Sequence, residues 1–201
     1  MARKYQNTEL RKEQITDATK KILIKYGNEH VTIKKIAQEV GISESAIYRH
    51  FNSKRDILFA LAEQVENNLL SDISDSNIPG LTPLETLNLI FSTHLSTVQQ
   101  TQGVSFQIIA EIISMGDKKL NRKISYTIDK YISSLTYIIN NGIESKELRE
   151  DIDAEATALI FFGTLQGLVT VWMSKNHNID LQNKLDTVWG ILCKAITVRQ
   201  T

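Results

Sequence analysis

The run GISESAIYRHF, residues 41 to 51, crowds hydrogen-bonding side chains into three helical turns' worth of chain. Arg49 offers a planar fork of donors, Tyr48 a phenol, His50 an imidazole and Ser45 a hydroxyl, with Lys34 before them and Lys54 after. No nucleophile and base pair in this run. The chemistry on offer is recognition: cations and hydroxyls for phosphate oxygens, and a guanidinium able to donate bidentately to guanine. Elsewhere there is no HExxH, P-loop, dinucleotide glycine motif or GxSxG elbow, and four histidines with one cysteine make no zinc spacing. The expectation is therefore a protein without catalytic residues, cofactor or metal.

Rigid elements must hold such a display, and the flanking residues supply them. Thr32 precedes one apolar stripe (Ile33, Ile36, Ala37, Val40) and Ser43 precedes the pair Ile47 and Phe51. Each is a helix cap backed by a hydrophobic staple, Val31 with Ile36 and Ile42 with Ile47. Gly41 supplies a left-handed turn, and only Gly41 and Ile42 separate the second helix from the next cap, which defines a tight helix-turn-helix. With Ile47 and Phe51 turned inward, Glu44, Ser45, Tyr48 and Arg49 face out and His50 lies near the edge. A short stapled helix with polar N-terminal residues suits the major groove. Ser53 caps the next helix with Asp56 at the capping-box position, and its basic first turn, Lys54-Arg55, suits a nearby phosphate.

The rest of the chain reads as all-α, with about nine helices. Only Pro79 and Pro83 occur, and no segment alternates as a strand does. Ile15, Ala18, Ile22 and Tyr26 form a first stripe ending at Gly27, and Ile57, Leu58, Leu61, Val65 and Leu69 a fourth. SDISDSNIPG, residues 71 to 80, is the clearest loop; Thr82-Pro83-Leu84-Glu85 then starts a fifth helix with a capping box. Gly103 and Gly116 bracket a sixth. A seventh runs from about Asp117 into the 140s, with Asn141-Gly142 as a break point, an eighth spans Ala154 to Met173, and a ninth carries Leu181, Leu185, Val188, Leu192 and Ile196.

Residues 1 to 62 hold twelve Lys and Arg against seven Asp and Glu in a chain of zero formal charge, so the basic end is the candidate for an anionic partner. The lone Cys193 excludes an intrachain disulfide, and no apolar leader follows the basic N-terminus, which predicts a cytoplasmic protein. Residues 156 to 173 carry no charge, yet Thr157, Thr164, Gln166 and Thr170 interrupt the run and no membrane is expected. A helix apolar all round is one buried on two sides, by its own core and by a second subunit, and Gly163 with Gly167 allows close helix approach.

The run VTIKKIAQEVGISESAIYRHFNSKRDILFALA, residues 31 to 62, resembles the DNA-binding signature of the TetR family of transcriptional regulators. The resemblance implies an N-terminal three-helix domain over residues 1–53. Residues 54–201 would be a connector helix plus a helical ligand-binding and dimerisation domain. By position, Thr32, Tyr48, His50 and Lys54 resemble phosphate contacts, and Lys34, Glu44, Ser45, Ala46 and Arg49 resemble residues facing base edges. Glu44 also serves the helix dipole. Arg3 and Lys4 are read either as a minor-groove arm or as a disordered basic tail. The implied pocket among the fifth to eighth helices draws on Phe91, His94, Gln107, Glu111, Tyr131 and Tyr137, with Glu111 requiring a partner among apolar neighbours. The implied dimer bundle of the last two helices draws on Phe161, Leu165, Leu168, Trp172, Leu185, Trp189 and Leu192. The resulting expectation is a homodimeric repressor on a palindromic operator in double-stranded DNA, released by a small, largely apolar effector. Control by a protein partner, or activation, are the alternatives.

Overall fold

A computed structural model describes residues 2–76 and 78–198, with side chains from Thr8 onward. Among the described residues there are nine α-helices and no strand, only an isolated bridge between Leu148 and Thr197. The helices are α1 (Ala2–Tyr26), α2 (Ile33–Val40), α3 (Glu44–Ile47), α4 (Lys54–Asp75), α5 (Pro83–Thr101), α6 (Val104–Ser114), α7 (Lys118–Glu144), α8 (Ala154–Ser174) and α9 (Leu181–Ile196), and a 3-10 turn, η1 (Asn28–His30), joins α1 to α2. Packing divides the chain differently from the boundary at 53. One unit comprises residues 1–67 and 107–125, the other 68–106 and 126–201. Thus α4, α6 and α7 each contribute to both.

In the first unit Ile15, Ala18, Ile22 and Leu23 of α1 meet Ile36, Ala37, Ile47, Ile57 and Leu61 in a small core. Tyr26 departs from its predicted place in the stripe. It is exposed, and its ring takes the Lys35 ammonium at 3.9 Å, while Leu23 fills the buried position. The backbone of Arg3 and Lys4 belongs to α1, and their side chains lie outside the described residues.

The second unit is built on rings. Phe91 of α5 packs on Phe161 of α8 and on Trp189 of α9, each at 5.8 Å between centroids. Tyr131 of α7 packs on His94 and Phe162 at 5.8 and 5.6 Å. Such pairs add about 0.5–1.5 kcal/mol each beyond the area they bury. The capping box of α5 forms as its sequence indicates: Thr82 Oγ1 accepts from the Glu85 amide and Glu85 reaches back to the Thr82 amide.

Two local expectations give way to tertiary packing. The segment expected to loop from Ser71 stays helical to Asp75, because Asp72 turns inward to Thr97 and His94 on α5 and is buried there. Asn141-Gly142 does not break α7. A Cβ at Gly142 would lie 2.6 Å from Leu148 Cδ1 and 3.2 Å from Pro83 Cβ, so the glycine is there for close approach.

Candidate nucleic-acid interface and effector groove

The reading unit is held by its caps. Thr32 Oγ1 accepts from the Lys35 amide at 3.1 Å and Ser43 Oγ from the Ala46 amide at 3.2 Å. Gly41, at φ +75°, closes α2 with bonds from its amide to the Ala37 and Gln38 carbonyls. With Ile47 fully buried, α3 is a single anchored turn. It is shorter than the sequence suggests: after Ile47 the chain tightens, with the Arg49 amide bonding the Ala46 carbonyl and the His50 amide the Ile47 carbonyl. Phe51, past the helix end, is still buried.

That tightening leaves a polar surface. Thr32, Lys34, Glu44, Ser45 and Arg49 are exposed, Tyr48 is 53% exposed, and Ala46, His50 and Lys54 are half-buried. Ser45 Oγ lies 2.9 Å from Ser43 Oγ, which fixes its rotamer beside the cap. Burial first, then the Arg11, Lys12 and Arg49 charges, hold the His50 imidazole below its ordinary value of 6.5. His50 is thus mostly neutral at pH 7 in the free protein. Burial also lowers Lys54. Ser53 Oγ accepts from the Asp56 amide, but the Asp56 carboxylate reaches the Asn52 amide, one residue earlier than a standard capping box.

The pocket residues separate into three places. Phe91, His94 and Tyr131 lie in the closed ring core, at 2%, 3% and 0% exposure. The space against His94 and Asp72 is about 10 Å³, room for a single water. His94 Nδ1 is 2.9 Å from Asp72 Oδ2 without the alignment of a hydrogen bond, while Thr97 donates to Asp72 Oδ1 at 3.0 Å. Burial, then the Asp72 charge, push the Tyr131 phenol well up, so it keeps its proton. Gln107 and Glu111 belong to the first unit. Glu111 is half-buried, and the partner its sequence surroundings require is an amide, Asn28 Nδ2 at 3.4 Å. Tyr137 is 68% exposed and lines a groove of about 620 Å³, mostly apolar, between the end of α4, the start of α5 and α7. Ile73, Tyr126, Lys130 and Ile138 share its wall. Of the groove's lining only Tyr137 is expected from the sequence, although Tyr126, Lys130, Ser134 and Tyr137 follow helical spacing along α7.

The dimer residues need a correction of face. Phe161, Leu165, Trp172, Leu185 and Leu192 are buried in the chain's own core, and Leu168 and Trp189 are half-buried, so these residues form the core face and not the free face. The apolar residues left to solvent on α8 are Leu159, Ile160 and Val171, with Ile191 on α9. Gly163 and Gly167 lie on that same open stripe, where an added Cβ would meet nothing. The 21 apolar-rich residues of α8 are long enough to cross a membrane, yet one face is a core face packed on α5 and α9. Among the described residues no group of His, Cys, Asp or Glu could hold a metal ion.

Comparison with known proteins agrees with this geometry. Residues 15–61 match the family model of bacterial regulatory proteins of the tetR family, and residues 55–195 match that of the YsiA-like protein C-terminal region. The fatty acid metabolism regulator protein of Bacillus subtilis (strain 168) is 26% identical over 183 residues, covering 91% of this chain and 94% of that one. The nucleoid occlusion factor SlmA of Vibrio cholerae is 24% identical over 191 residues, covering 92% and 95%. Among solved structures, the transcriptional regulator FadR from Bacillus subtilis in complex with stearoyl-CoA superposes with a TM-score of 0.78 at 27% identity, covering 90% of this chain and 97% of that one. FadR from Bacillus halodurans has the same fold, with a TM-score of 0.78 at 23% identity, covering 91% and 94%. With caps, left-handed glycine, exposed polar turn and both family models in agreement, the chain belongs to the TetR family of transcriptional regulators, whose members bind operator DNA as homodimers and bind small-molecule effectors.

Proposed function

We propose that this regulator is a cytoplasmic repressor, with no catalytic activity of its own, that leaves its operator when a long-chain fatty acyl ligand binds the second unit. The supporting observation is the mostly apolar groove of about 620 Å³ along α7, in a chain 27% identical to a regulator solved with stearoyl-CoA. A groove of this size and lining suits an elongated apolar ligand with few polar groups. In this reading Thr32, Tyr48, His50 and Lys54 grip phosphates, Lys34, Ser45, Ala46 and Arg49 face base edges, and Glu44 serves the dipole of α3. Two copies joined through the Leu159, Ile160 and Ile191 face present two reading turns to one palindrome. Simultaneous major-groove contact requires their separation to approach roughly 34 to 36 Å or a multiple of it. A ligand favouring another separation lowers operator affinity by its differential affinity for the two states.

The test is titration of stearoyl-CoA and of stearate into the protein bound to fluorescent operator. Release at micromolar ligand, abolished by Tyr137→Asp and Ile138→Asp in the groove, supports the reading. Retention on DNA across acyl ligands removes it. One observation favours a second reading: Phe91, His94 and Tyr131, where the family resemblance implies a pocket, are buried against other rings, so a protein partner docking on the surface needs no core opening. Under that reading, operator binding is indifferent to every acyl ligand and responds to a protein.

A further inference from the structure

The reading turn sits between two contacts made by a single corner of the chain, that between α6 and α7. At its front, Asn28 of η1 donates from Nδ2 to Ser114 Oγ at 2.9 Å and lies 3.4 Å from Glu111 Oε2. Asn28 is four residues ahead of the cap Thr32. At its back, Arg55 Nε donates to Asp117 Oδ2 at 2.8 Å, with Nη2 2.7 Å from the same oxygen. Arg55 follows Lys54, the residue read as a phosphate contact. Residues 29 to 54, which hold α2, the turn and α3, are thus tied at both ends to one short segment. All of these residues belong to the same packed unit.

The corner itself is stiff. Gly116, at φ +66°, closes α6, and Asp117 then caps α7 through Oδ1, which accepts from the Lys119 amide at 2.9 Å and the Leu120 amide at 3.2 Å. The Leu120 and Lys119 amides and the Arg55 guanidinium together hold the Asp117 carboxyl below its ordinary value, so it stays an anion through the neutral range. Lys123, one turn into α7, also pairs with Glu66 of α4. From this corner α7 continues without a break past Tyr126, Lys130 and Tyr137, the residues that line the groove.

We propose that the α6–α7 corner is a clamp that sets the orientation of the DNA-reading turn, with Asn28 and Arg55 as its positioning residues and Ser114 and Asp117 as their anchors. This rests on the effector reading for what moves the clamp, but not for its effect on DNA. Stability is not the purpose of the outer contact. Arg55 is about half exposed, and exposed ion pairs contribute little to folding.

Operator affinity, stearoyl-CoA affinity and thermal midpoint are measured for Arg55→Ala, Arg55→Lys, Asp117→Asn and the double variant Asn28→Ala with Arg55→Ala. Asparagine caps a helix nearly as well as aspartate, so Asp117→Asn removes the charge and keeps α7 closed. Simple electrostatics says that removing a negative charge beside DNA tightens binding. The clamp predicts the opposite for Asp117→Asn, about tenfold weaker operator binding as a less populated competent orientation requires, and the double variant, which also loses a cation, is weakened at least as much. Stearoyl-CoA affinity stays within about twofold and Arg55→Lys restores part of the loss, because lysine keeps the charge without the fork. Wild-type or tighter operator binding by Asp117→Asn overturns the clamp whatever the double variant does. If stearoyl-CoA fails to release the wild type while these variants still lose operator affinity, the effector reading falls and the clamp stands.

Discussion

The two units spend their side chains in opposite ways. The reading unit carries its functional residues on an eight-residue helix, a four-residue helix, the turn after it and the first residue of α4, and each of the two short helices is anchored by one or two buried apolar residues and a side-chain cap. Its outward face is hydroxyl, phenol, imidazole and cation. The second unit packs α5, α8, α9 and the longer part of α7 around a ring-on-ring core, and it leaves Leu159, Ile160, Val171 and Ile191 in water. A polar face on short, locally fixed elements suits a charged, hydrated partner whose contacts are directional. An apolar stripe with two open glycines suits another helix at close range. The difference teaches that affinity for DNA and affinity for a second subunit can be altered separately.

The largest expected effect tests the ring core. Phe161→Ala removes a side chain packed on Phe91 and Trp189 and should cost about 3–5 kcal/mol of stability by calorimetry. A loss below about 1 kcal/mol would mean the core is looser than the structure has it. Next, Ile160→Lys places an unpaired charge on the open stripe of α8 and should weaken self-association by about 3 kcal/mol or more, seen by sedimentation, with the fold intact. An unchanged dimer would move the interface elsewhere. Arg49→Ala leaves both core and stripe alone and should cost about 1–3 kcal/mol of operator binding, with relaxed preference at one base pair.

The smallest effect is one of pH. Since the folded protein holds His50 below 6.5, the free chain binds that proton less readily than the unfolded one, and stability declines slightly as pH falls through 6.5. A phosphate beside the imidazole favours the charged form, so operator affinity should rise over the same fall in pH. His50→Gln should flatten both slopes, by circular dichroism for stability and by anisotropy for binding.

Legibility in the sequence follows the same division. Thr32, Gly41, Ser43 and the Thr82–Glu85 box act within four residues of chain, so their types and spacing already state the geometry. Asp72 could not be read that way: turn-forming neighbours favoured a loop, and only contact with Thr97 and His94, more than twenty residues on, keeps it helical. The faces of α8 were ambiguous for a related reason. A helix apolar all round has no periodic signal to say which side meets its own core, and nothing in the sequence separates buried Phe161 from exposed Ile160. Glu111 stands out among its apolar neighbours in sequence, yet its partner Asn28 lies 83 residues away.

The central claim is that the exposed turn from Ser45 to Arg49 reads base sequence. Selection of random duplex DNA on the purified protein, with the winners titrated over a range of salt, tests it most directly. The account predicts one recovered palindrome, bound with a salt-dependent affinity at least about a thousandfold above that for random duplex. It also predicts that Arg49→Ala degrades that preference. Equal affinity for all sequences, unaffected by Arg49→Ala, would contradict it.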